Sequence, residues 1–198
     1  MRVYCLGDSM TYGYGVPRRE TWVALTGAAA GYEMINAGVN GDTTSGMVAR
    51  FCADVPQVKP DMALFMGGCN DIFLTGGDGI ARCNMGALVQ QSLARAVVPV
   101  ICCPIPFEPQ RVRGDWARLT DFHAAGETLR GYAAWLRQYA EIFRVPVLDF
   151  WSFFAALPAA QRTPLYLDGL HLTAEGHRLM AGLALKTLQK LETQSSIL

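Results

Sequence analysis

Five short apolar runs recur along the chain, and each is followed by turn-forming residues and then by a longer segment of helical character. The first, Arg2-Val3-Tyr4-Cys5-Leu6, is β-prone and is ended by Gly7. The second is Glu33–Gly38. The third, Asp61–Met66, is apolar almost throughout, as expected of a strand covered on both faces. The fourth is Val97–Cys103. The fifth is Val145–Phe150, where Pro146 points to a strand start or an edge.

The segments between them predict helices. One runs from Glu20 or Thr21 to Ala30 and is closed by Gly31. Another runs from about Ser45 to Val55, after Asn40-Gly41-Asp42-Thr43, which is both a turn and an N-cap signal, and Pro56 and Pro60 bracket its exit. A loop holding Gly76-Gly77-Asp78-Gly79 precedes a helix from about Ile80 to Ala96. The proline-rich stretch from Pro104 extends as a loop to about Leu119, and a long helix follows from about Thr120 to Arg144. Trp151 to Ala160 reads as a short helix and turn, and Leu165 to His171 as a loop. The last helix spans about Thr173 to Leu191, with Met180, Leu183, Ala184, Leu188 and Leu191 on one face, and residues 192–198 are expected to fray. Strand and helix alternate five times. That pattern implies an α/β fold with a five-stranded parallel sheet between two helical layers.

Composition narrows the picture further. The chain has 198 residues, 51% of them hydrophobic, enough for one domain (residues 1–198) with a substantial core. The formal net charge of zero suggests neither nucleic acid nor an anionic membrane as a partner. No apolar run approaches the roughly 18 residues of a membrane span. Met1 leads straight into the first strand without a signal-type segment, so the expected location is cytoplasmic. Of the six cysteines, Cys5, Cys102 and Cys103 fall inside expected core strands and no CxxC pair exists, so all are read as free thiols behaving as small buried hydrophobes.

In a parallel sheet the loops after the strands emerge at one edge, where ligands bind. Here those loops carry chemistry. Ser9 follows the first strand, Gly41 the second and Asn70 the third, while Asp168 and His171 precede the last helix. A serine hydroxyl needs a base to become a nucleophile, and His171 can supply it. Asp168, three residues before His171 in a turn permitted by Gly169, can accept from the imidazole and hold its tautomer. The backbone N–H groups of Ser9 and Gly41 and the amide of Asn70 are candidate donors to an oxyanion.

These blocks resemble the SGNH hydrolase family, also called GDSL esterases and lipases. Gly7-Asp8-Ser9-Met10 is similar to the first family block, with Met10 where leucine is usual. Asn36 to Thr44, with Gly41 as the functional glycine, is similar to the second. Gly68-Cys69-Asn70-Asp71 fits GxND and Asp168-Gly169-Leu170-His171 fits DxxH. The resemblance covers nearly the whole chain. It lies nearest the small bacterial branch of acyl-thioesterases, arylesterases and lysophospholipases. It implies a flavodoxin-like three-layer fold and hydrolysis of esters or thioesters of small molecules without metal or cofactor. Cys69 in the GxND block places a thiol beside the oxyanion site, open to thiol reagents. Ile72 and Phe73 (with Leu74 nearby), together with Ile105, Phe107 and Trp116, are expected to shape the acyl side and to favour short or medium acyl chains or aryl esters over sugar acetates.

Each residue also has a plainer reading. Ser9 alone is a helix cap, Gly41 a turn glycine, and Asn70 a brace for its own loop. Asp8 and Asp71 read as loop braces, and His123 and His177 as structural or surface histidines. There is no GxSxG elbow, no GxGxxG or GxxxxGK[ST], and no HExxH or Cys/His cluster. Transfer to an alcohol acceptor, carbohydrate deacetylation and non-catalytic binding of acylated ligands remain alternatives, and the oligomeric state is not legible.

Overall fold

The computed structural model describes residues 1–195. Five strands, β1 (Arg2–Gly7), β2 (Glu33–Gly38), β3 (Met62–Met66), β4 (Val98–Cys103) and β5 (Val147–Asp149), form one all-parallel sheet in the order 2-1-3-4-5. This is the doubly wound, flavodoxin-like order, whose switch point lies between β1 and β3.

Alternate residues of each strand enter opposite core layers. Val3, Cys5, Met62, Leu64, Val100 and Cys102 pack on one side with α2 (Trp22–Ala30) and α9 (Ala174–Ser195). Tyr4, Leu6, Ala63, Phe65, Ile101 and Cys103 pack on the other with α3 (Thr44–Val58), α5 (Gly79–Leu93) and α6 (Phe122–Phe143). The two-residue side-chain period of a strand therefore feeds both cores at once, giving three layers.

Other helical segments are new or depart from the expected bounds. Ser9–Tyr12 (α1) and Cys69–Thr75 (α4) are helical where loop was expected. Both begin immediately after a strand. Asp8 caps α1, and in α4 the spacing of Cys69, Ile72 and Phe73 turns one face to the core. α3 runs past Pro56 to Val58, and Lys59 closes it at φ 48 with its N–H on the Val55 carbonyl. The short helices α7 (Phe150–Ala155) and α8 (Ala159–Arg162) follow β5. α9 continues to Ser195, so residues 192–195 are helical rather than frayed, and 196–198 lie outside the described residues.

All six cysteines are free; Cys5, Cys102 and Cys103 are buried in strands as expected, whereas Cys52 and Cys83 are exposed on helices. Among the described residues no helix is long and apolar enough to cross a membrane.

Candidate active site

The register fixes where the loops meet. Gly7, the last residue of β1, is level with Gly38 of β2 and Met66 of β3. Residues 8–9, 39–41 and 67–70 therefore leave the sheet side by side.

Ser9 opens α1. Asp8 Oδ1 accepts the Met10 N–H at 2.9 Å, and Gly13 ends the turn at φ 85. This single turn sits so low on the sheet that side chains beneath it are excluded. A Cβ on Gly7 would fall 2.6 Å from the Met66 carbonyl oxygen, and one on Gly38 would fall 2.1 Å from the Tyr12 nitrogen. Asn36 fastens the same junction, donating to the Thr11 carbonyl at 2.8 Å and accepting the Gly38 N–H at 3.0 Å.

Ser9 Oγ lies 2.8 Å from His171 Nε2. His171 Nδ1 lies 2.8 Å from Asp168 Oδ2. The other oxygen of that carboxylate accepts the backbone N–H groups of Leu170 and His171 at 3.0 and 2.8 Å, which fixes its orientation. Burial pushes the Asp168 carboxyl up, but the hydrogen bonds from His171 outweigh it and hold the group below its ordinary range. Asp168 is therefore an anion facing the imidazole, able to stabilise an imidazolium. The imidazole ring packs against both Tyr14, with ring centres 4.4 Å apart, and Trp116, at 5.6 Å, and these two rings also meet each other at 6.1 Å. The Arg113 guanidinium lies over the Trp116 ring, 4.5 Å from its centre.

Gly41 adopts φ 74, and a Cβ there would meet nothing within 4 Å. The glycine is needed for its backbone conformation and leaves the adjoining space open. Asn70 stands in the first turn of α4 and donates from Nδ2 to the Asp42 carbonyl at 2.8 Å. An amide carries two N–H donors, and that bond uses one of them. The brace predicted for Asn70 thus exists, but it reaches across to the Gly41 loop rather than closing its own. Asp71 is buried and accepts from both the N–H and the hydroxyl of Thr44, at 2.9 and 2.6 Å, tying α4 to the start of α3.

Ser9, Gly41, Asn70 and His171 line one cavity of about 260 Å³. Its deeper wall is apolar and includes Met66, Phe73, Ile105, Phe107 and Phe122. Three of these touch one another: Phe73 and Phe107 are 5.4 Å apart between ring centres, Phe73 and Phe122 5.1 Å, and Phe107 and Phe122 5.8 Å. Phe73, Phe107 and Trp116 thus reach the cavity as expected. Ile72 does not: it is fully buried in the core beneath α4, because the helix turns it inward one position from Phe73. Leu74 points away and is exposed. Tyr14, Leu119, Phe122 and Leu170 line the cavity without having been singled out in the sequence. Tyr14, Leu119 and Phe122 lie in no marked tetrapeptide, and Leu170 occupies a variable position of the Asp168–His171 block, so only the fold brings them together.

Two neighbours have shifted proton affinities. Burial raises the Asp8 carboxyl to about 6. Burial also pushes the Cys69 thiol well above its ordinary value, which disfavours the thiolate although the residue lines the cavity. Away from the site, His177 is buried and its Nδ1 accepts the Trp22 N–H at 3.2 Å, making it a structural histidine at the start of α2.

A sequence model of the GDSL-like lipase/acylhydrolase family matches residues 5–179. The chain is 26% identical over 207 residues to YqeF, an uncharacterised lipoprotein of Bacillus subtilis, covering 90% of this chain and 85% of YqeF. It is 35% identical over 94 residues to the esterase TesA of Pseudomonas aeruginosa, covering 45% of this chain and 43% of TesA. Among solved structures it resembles a lipolytic protein of the G-D-S-L family from Desulfitobacterium hafniense, with a TM-score of 0.75 at 25% identity over 94% of this chain and 98% of that one.

Proposed function

The chain belongs to the GDSL-like lipase/acylhydrolase family, and on that footing we propose that it is a serine hydrolase that cleaves carboxylic esters or thioesters through an acyl-enzyme on Ser9. The observation that carries this is the Ser9–His171–Asp168 chain, with both links at 2.8 Å, opening onto an apolar cavity.

In this mechanism His171 Nε2 takes the Ser9 proton as Oγ attacks the acyl carbonyl. Asp168 holds the tautomer that leaves Nε2 free and stabilises the imidazolium. The tetrahedral oxyanion rests on the N–H groups of Ser9 and Gly41 and on the remaining N–H of Asn70, donors already in place before charge develops. His171 then protonates the departing alcohol or thiol. A water, activated by the same imidazole, attacks the acyl-enzyme and releases the acid.

The cavity bears on the substrate. A void of about 150 Å³ already holds a benzene. One of about 260 Å³ walled by phenylalanine, methionine and isoleucine accepts an aryl group or a medium-length acyl chain, and it offers a sugar acetate few polar partners on that wall. Replacing Ser9 with alanine tests the proposal: hydrolysis of p-nitrophenyl butyrate should disappear while the melting temperature holds. Substantial residual turnover by Ser9→Ala would refute it.

A further inference from the structure

We propose that Arg50 is the positioning residue of the oxyanion site, holding the loops after β1, β2 and β3 at fixed spacing; this rests on Gly41 and Asn70 being the oxyanion donors proposed above. Arg50 lies on α3, does not line the cavity, and touches none of the reacting groups. Its guanidinium joins the exits of β1 and β2 directly, and the loop after β3 through Asp42. Nη1 donates to the Ala37 carbonyl near the end of β2 at 2.7 Å. Nη2 donates to the carbonyl of Gly7, the last residue of β1, at 3.2 Å. Nε and Nη2 both reach Asp42 Oδ2, at 3.1 and 2.6 Å.

Asp42 relays the connection. It follows Gly41 directly, and its main-chain carbonyl is the acceptor for Asn70 Nδ2 at 2.8 Å. One cation therefore fixes the strand exit that precedes Ser9, the loop that carries Gly41 and, through the Asp42 main chain, the Asn70 amide. The Gly7 carbonyl strengthens the link by also accepting the Val39 N–H at 3.1 Å. Gly46 makes the arrangement possible, because a Cβ there would stand 2.0 Å from Asp42 Oδ1 and displace the carboxylate. The side chains of Arg50 and Asp42 are 27% and 11% exposed, so the pair is shielded enough to hold one geometry. Only a planar fork of five donors satisfies two carbonyls and a carboxylate in these directions, and a lysine ammonium does not.

Preorganised donors act only if they stand where charge will develop, and a misplacement of about 1 Å can cost about 100-fold in rate. Arg50→Met should lower kcat for p-nitrophenyl butyrate by about 10- to 100-fold with KM little changed, and Arg50→Lys should recover little of it. The deciding measurement is a double-mutant cycle with Asn70→Ala, run well below each variant's melting temperature. If Arg50 acts through the donor site, the Arg50→Met/Asn70→Ala double variant falls little below the worse single variant. Losses that multiply would overturn the proposal, as would an Arg50→Met kcat within twofold of wild type. Should Arg50→Met fail to fold, Asp42→Asn removes the charge pair at equal volume and is read through the same cycle, with the same two outcomes deciding. A wild-type protein that hydrolyses no ester sinks the assignment of the site itself, whereas an active wild type with a multiplicative cycle sinks only the role of Arg50.

Discussion

The α-carbon of Gly169 faces the backbone of Arg111 so closely that a Cβ on it would stand 2.6 Å from the Arg111 carbonyl carbon. Gly169 also adopts φ 84, and its carbonyl accepts the Glu108 N–H at 2.8 Å. The segment after β4 is thus pressed against the loop that carries Asp168 and His171. Position 169 is constrained twice, by conformation and by contact.

Gly169→Ala should therefore shift the His171 loop and cut kcat by at least about 10-fold, beyond its cost to stability, because catalysis depends on sub-ångström placement. Steady-state rates and thermal unfolding of the same preparation check this. A variant with normal rates would show that the contact with Arg111 does not position His171.

Asp168→Asn keeps the volume but replaces the carboxylate that accepts from Nδ1 at 2.8 Å. The imidazole then loses both its orienting acceptor and the stabilisation of its charged form, so kcat should fall on the order of 10³–10⁴-fold. Near-normal rates would point to Asp8 or to no acid at all.

Phe107 is half-buried and meets Phe73 and Phe122 in the cavity wall. Phe107→Ala should move the optimum in a series of p-nitrophenyl esters towards longer acyl chains, by about two carbons or more given the side-chain volume removed. Leu74→Ala, on the exposed side of α4, should leave the optimum where it is. An unchanged optimum in Phe107→Ala would place the acyl chain elsewhere.

Two buried groups give opposing pH dependences of stability. Burial lowers His177 to about 4 from its ordinary 6.5. The unfolded chain binds more protons there, so this group makes stability rise with pH from about 4 to 6.5. Burial raises Asp8 from 3.8 to about 6. The folded chain binds more protons there, so this group makes stability fall with pH across nearly the same window. The wild type should show little net slope from these two groups. Asp8→Asn should expose the His177 slope, gaining about 2 kcal/mol relative to wild type between pH 4 and 6. Urea unfolding at three pH values reads it directly; parallel curves for variant and wild type would contradict the assignment.

The sequence made the scaffold legible for physical reasons. Strands such as Asp61–Met66 are marked by continuous apolar runs, and the alternation with helices leaves few topologies. The convergence of Ser9, Gly41, Asn70, Asp168 and His171 was legible because each lies in a short block at a strand exit or before the last helix, and the loops of a parallel sheet emerge at one edge. The cavity wall was legible only in part. Phe73 and Phe107 reach it, but Ile72 does not, because a loop was expected where α4 forms, and the helix sets neighbouring positions about 100° apart, which sends Ile72 into the core beneath it. Tyr14, Phe122 and Arg50 carry no local signature. Their partners lie far along the chain, Tyr14 against His171 and Arg50 against Gly7, so their roles exist only after folding.

The most direct test of the central claim is labelling with a fluorophosphonate followed by peptide mapping. An activated Ser9 predicts one adduct, on the peptide containing Ser9, and its loss in His171→Ala. A folded protein that takes no adduct, or one whose labelling survives His171→Ala, would contradict the account.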